Sequence, residues 1–107
     1  MCHVTVRWHV KAVDELAELW LTGGRDSIEK AANEIDSLLA VEPSQKGRPF
    51  ALAMLDAPMT ELLIERVNAL PEDLRWIRLG PVEVLFWPRE LDGMAIVLLI
   101  QKRTLQM

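Results

Sequence analysis

An α+β fold is predicted by three features of this 107-residue sequence. An alternating apolar run opens the chain, two stretches with helical spacing follow, and the last third returns to strand patterning. The order β, α, α, then an antiparallel β-meander packs a helical hairpin on one face of an antiparallel sheet. With 50% apolar residues and few Gly and Pro, residues 1–107 fit a single globular domain with one core.

Each element has its own signature. In HVTVRW, residues 3–8, Val4, Val6 and Trp8 fall on one face and His3, Thr5 and Arg7 on the other, as in a half-buried strand. From about Val10 to Thr22, residues Val13, Leu16, Ala17, Trp20 and Leu21 recur at helical intervals while Asp14, Glu15 and Glu18 point elsewhere. Gly23-Gly24 ends this helix. Asp26 with Glu29 three residues on offers a capping box, and Ile28, Ala31, Ala32, Ile35, Leu38 and Leu39 form the stripe of a second helix to about Ala40.

After Glu42-Pro43 comes a polar loop, SQKGRP, in which Lys46 and Arg48 flank Gly47. These basic residues could touch phosphate, but residues of this kind are more often a plain solvated turn. Phe50–Leu55 reads as a short strand. Asp56 caps a third helix near 58–70, Pro58 sits in its first turn, and Leu62, Leu63, Val67 and Leu70 make its stripe before Pro71. Strands follow at 74–79, 82–87 and 94 to about 102, the last two joined by PRELDG, whose Asp92-Gly93 is a hairpin signal. The strand MAIVLLI is apolar on both faces, so it is central and covered on both sides. The two hairpin helices cover only one side; the third helix, a second copy or a partner peptide must cover the other.

Composition narrows the function classes. The longest apolar run, Met94 to Ile100, is too short for a membrane span, and no signal-like segment opens the chain, so a protein of the cytoplasm is expected. One cysteine, Cys2, excludes an internal disulfide. Cys2, His3 and His9 make no convincing metal site, because alternation along a strand accounts for them, and no cofactor is implied. The formal charge of -4 gives no general attraction to phosphate backbones, so binding nucleic acid would require basic residues gathered on one face. A small-molecule enzyme has no supporting set: no Gly-rich phosphate loop, no paired carboxylates with a His, no nucleophile beside a base.

The first strand, then DELAELWL, AANEIDSLLAVEP, KGRP, RWIRLGPVEVLF and MAIVLLIQKR, in that order, resembles the RelE/ParE superfamily of toxins from bacterial type II toxin-antitoxin systems, which includes plasmid-stabilisation-like proteins. Residues 51–72 read as an insertion relative to that pattern. The resemblance implies a toxin or toxin-like protein neutralised by an antitoxin. RelE-like members cleave messenger RNA on the ribosome, whereas ParE-like members inhibit DNA gyrase.

RNA cleavage needs a deprotonated 2'-hydroxyl, a stabilised phosphorane and a protonated leaving oxygen. The resemblance places Arg75, Arg78, Lys102 and Arg103 where similar proteins carry basic residues, making them the candidate target contacts. It also places Glu83 where an RNA-cleaving member carries arginine, and a carboxylate there repels phosphate. There is no tyrosine in the chain. The ribonuclease set is therefore incomplete, and no catalytic residue is assigned. The bland account has one of Arg75 and Arg78 at the sheet edge and the other paired with Glu83 or Glu90, since residues three apart on a regular strand face opposite ways. Trp76 and Trp87, on the C-terminal sheet, are interface candidates if exposed. The alternative to a toxin is a non-catalytic interaction module, a homodimer formed through these tryptophans and the last strand.

Overall fold

The computed structural model describes residues 3–22, 24–49, 57–67 and 73–102. In chain order the elements are β1 (Thr5–Trp8), α1 (Val10–Thr22), α2 (Arg25–Leu39), β2 (Arg48–Pro49), α3 (Ala57–Val67), β3 (Arg75–Leu79), β4 (Val82–Arg89) and β5 (Met94–Lys102). The predicted strand Phe50–Leu55, the cap Asp56 and the stripe residue Leu70 lie outside the described residues. No helix among the described residues is long and apolar enough to cross a membrane.

The five strands form one sheet in the order β1-β5-β4-β3-β2. β2 to β5 run as an antiparallel meander. β1 joins β5 in parallel, with Thr5 opposite Met94 and Trp8 opposite Val97, so the sheet is mixed rather than wholly antiparallel. Beside β5, Val4, Val6 and Trp8 pack in the core under the hairpin.

The α1–α2 hairpin covers one face. Ala12, Ile28, Ala31, Ile35 and Leu39 meet Val82, Val84, Phe86, Ala95, Val97 and Ile100 there. Phe86, Ile35 and Leu39 are fully buried, and each such burial contributes about 1.5–3 kcal/mol. The Trp8 indole N–H donates to Asp36 Oδ1 at 2.8 Å, tying β1 to α2. α2 starts at Arg25 after Gly24 at φ 96°, without a side-chain cap. The glycine turn begins the helix before Asp26, which therefore sits in the first turn beside the positive end of the dipole instead of closing a capping box.

The second face has its own apolar cluster: Leu63 of α3 with Leu74, Leu85, Leu98 and Leu99, flanked by Leu62, Trp76, Trp87 and Ile96. A bulge makes this possible. Leu85 lies opposite Leu99 and Phe86 opposite Val97, leaving Leu98 without a partner. The extra residue turns both Leu98 and Leu99 toward the second face, while Ile100 returns to the first. Thus the strand that reads as apolar on both sides is covered by the hairpin on one and by α3 on the other.

Two connections depend on backbone freedom. Gly80 at φ 56° precedes Pro81 in the two-residue turn between β3 and β4. Gly47 at φ 65° lies so close to β3 that an added Cβ would be 2.3 Å from the Trp76 carbonyl oxygen. That approach lets Arg48 and Pro49 pair with Trp76 and Arg75 as β2, where the sequence suggests only a polar loop.

Candidate functional site

Strand alternation sorts the basic residues. Arg78 lies opposite Glu83, which lies opposite Gln101, and all three share the second face. Arg78 Nε meets Glu83 Oε1 at 3.2 Å, and Gln101 Nε2 donates to Glu83 Oε2 at 3.2 Å. The result is a polar rung across β3, β4 and β5 with a carboxylate at its centre. The Arg78 guanidinium also stacks on the Trp76 ring, 4.7 Å from its centroid.

Arg75 is used differently. Its Nε donates to the Lys46 carbonyl at 2.6 Å and its Nη2 to the Gly47 carbonyl at 3.0 Å, so it pins the loop before β2 to β3. Lys102 is exposed at the end of β5 opposite Val82, and therefore points toward the hairpin side. Arg103 lies outside the described residues. Among the described candidates, Arg75, Arg78 and Lys102 thus do not converge on one point.

A cleft of about 380 Å³ does gather charge, lined by Gly47, Arg48, Trp76, Ile77 and Arg78 at the β2–β3 edge. Arg48 is opposite Trp76 in register and shares its face with Arg78. Sequence reasoning passed over Arg48 as part of a solvated turn. The available signal was Gly47, whose positive φ allows a short strand there.

Trp76 and Trp87 are half-buried against the Leu63 cluster rather than free-standing. The Trp87 indole N–H donates to Asp73 Oδ1 at 2.9 Å, and Arg89 stacks on its ring. Elsewhere the Glu90 carboxyl is held below its ordinary value by hydrogen bonds from the Ser44 side chain and backbone N–H, the latter at 3.1 Å. It fastens the turn after α2 to the β4–β5 connection.

Sequence reasoning also missed a contact between α1 and α3. Arg66 bonds bidentately to Glu15, with Nη1–Oε1 3.0 Å and Nη2–Oε2 2.9 Å. Arg66 Nη1 donates to the Leu98 carbonyl, and Glu15 Oε1 accepts from the Ile100 N–H at 3.4 Å. β1 pairs with β5 only as far as Val97. Beyond that point the ion pair supplies hydrogen bonds at the open edge of the central strand.

No protein-family model and no curated protein matches the sequence. Among solved structures, a chain of the toxin-antitoxin complex RelBE2 from Mycobacterium tuberculosis superposes with a TM-score of 0.65. The match covers 96% of this chain and 94% of that one at 17% identity. The chain therefore shares its fold with that chain of the RelBE2 complex. In this fold the mixed sheet carries the helical hairpin on one face and α3, with the Arg78–Glu83–Gln101 rung, on the other.

Proposed function

We propose that this chain is the toxin-like component of a toxin-antitoxin pair, a small protein that binds a macromolecular target and is neutralised by an antitoxin. The observation that supports this most is the likeness of nearly the whole chain to a chain of a solved toxin-antitoxin complex. Charge placement supports a target on the sheet side. Residues 10–39 hold seven acidic and three basic side chains, a balance of -4, leaving nine of each sign on the rest of the chain. The hairpin therefore carries the whole net negative charge and repels polyanions, whereas the β2–β3 edge gathers Arg48, Arg78 and the Trp76 ring. Lys102, at the end of β5 on the hairpin side, and Arg103 are further candidate target contacts.

The action proposed is binding rather than cutting. Glu83 occupies the centre of the rung, where a phosphate held for cleavage would meet its carboxylate at close range. No tyrosine is present to assist proton transfer. Of the two targets of similar toxins, DNA gyrase requires none of the ribonuclease residues and is the one favoured, in the cytoplasm. The purified protein is expected to inhibit gyrase supercoiling and to leave ribosome-bound message intact, with Arg78→Ala weakening the inhibition. Cleaved message with unaffected gyrase would replace this reading by the ribonuclease one. The non-catalytic homodimer reading, through Trp76, Trp87 and the last strand, requires α3 to leave the face that it covers.

A further inference from the structure

The described side chains of α3, those of residues 61–66, hold it to the domain at three positions. Leu63 is fully buried and Leu62 half-buried in the second cluster, whereas Glu61, Ile64 and Glu65 face solvent, Ile64 at 45% exposure. Arg66 supplies the polar tie, reaching Glu15 on α1 and the Leu98 carbonyl at the bulge of β5. Its side chain is only 8% exposed, against 26% for Glu15. Among the described residues, the cluster beneath the hairpin contains none from α3. The hairpin and sheet consequently keep their own core when α3 is lifted, a condition for opening separately from global unfolding.

We infer that α3 is a strap over the second sheet face, latched by the Arg66–Glu15 pair, and that its opening as a unit controls access to Leu85, Leu98, Trp76 and Trp87. The geometry provides for both states. Closed, Arg66 donates to the Leu98 carbonyl, which lies beyond the last β5 residue paired with β1. Open, the guanidinium and that carbonyl reach water, while Glu15, already partly solvated, keeps the Ile100 N–H. Neither charge is stranded in an apolar interior, so opening avoids the large penalty of an unpaired buried ion. The strap stands independently of any target or antitoxin, because it concerns only the closure of the protein on itself.

Amide hydrogen exchange of the free, full-length protein tests it, measured from zero to low denaturant. In the unmodified protein, amides of residues 57–67 should exchange faster than those of Val84 and Val97, with little dependence on denaturant. Arg66→Ala should speed α3 exchange by roughly 100-fold, with α3 still exchanging faster than the core. The charge-exchanged double variant Glu15→Arg with Arg66→Glu should recover part of that loss. Exchange of α3 at the core rate, with the same denaturant dependence, would overturn the strap from the unmodified protein alone. An unchanged α3 rate in a folded Arg66→Ala variant would overturn the latch.

Discussion

Arg66 and Glu15 lie 51 positions apart, yet their side chains meet through two parallel hydrogen bonds of 3.0 and 2.9 Å at the open edge of the central strand. One pair therefore joins α1, α3 and β5. Its contribution to stability should appear in a double-mutant cycle of Glu15→Ala and Arg66→Ala followed by urea unfolding. We expect Arg66→Ala to cost about 3 kcal/mol, the low end for a broken pair because Glu15 remains hydratable. The coupling between the two sites should be about 1–3 kcal/mol. Additive single variants would mean that the two side chains act separately.

Gly47 should tolerate no side chain. An alanine Cβ would press on the Trp76 carbonyl and hold a positive φ that L-residues disfavour. Gly47→Ala is expected to cost roughly 2–4 kcal/mol in thermal or urea unfolding. It should also detach β2, read as loss of amide protection at Trp76, with the hairpin core little changed. A neutral substitution would contradict the tight approach of this loop to β3.

Glu83→Arg would put a positive charge at the centre of the rung in place of the carboxylate. Arg78 would then face a like charge, costing about 0.5–1 kcal/mol. Affinity for single-stranded RNA should rise and fall more steeply with salt. Fluorescence anisotropy with a labelled oligonucleotide at two salt concentrations checks this. Unchanged affinity would show that Glu83 is not what discourages phosphate.

Ser44 should govern the acid limb of Glu90. The bonds from Ser44 place the folded carboxyl below 4.5. A depressed folded value means that the contribution to stability is present above the unfolded value, and is lost as pH falls through the folded one. Ser44→Ala removes the hydroxyl donor and should raise the Glu90 value toward 4.5 in an NMR titration. An unmoved titration would assign the shift to the backbone N–H alone.

Periodicity carried much of the fold. Alternation in HVTVRW and helical spacing in the next two segments located β1, α1 and α2, and Asp92-Gly93 marked the β4–β5 hairpin, where Gly93 adopts φ 70°. What periodicity could not supply was partnership at long range. Glu15 falls on the polar side of α1, and nothing local distinguishes it from Asp14 or Glu18; its role depends on Arg66 and on the point where β1 stops covering β5. The Leu98 bulge was equally silent, because a run of aliphatic residues reads the same with or without a shift in register. Alternation set Arg75 and Arg78 on opposite faces and offered Glu83 as a partner for one of them; the hold of the loop carbonyls on Arg75 was not legible.

Growth during induced expression tests the central claim most directly. The chain is expressed alone and together with the product of its neighbouring open reading frame, in otherwise identical cells. The toxin-like reading predicts growth arrest alone and relief on co-expression, with the two proteins purifying as one complex. Normal growth under strong expression, with no complex formed, would contradict it.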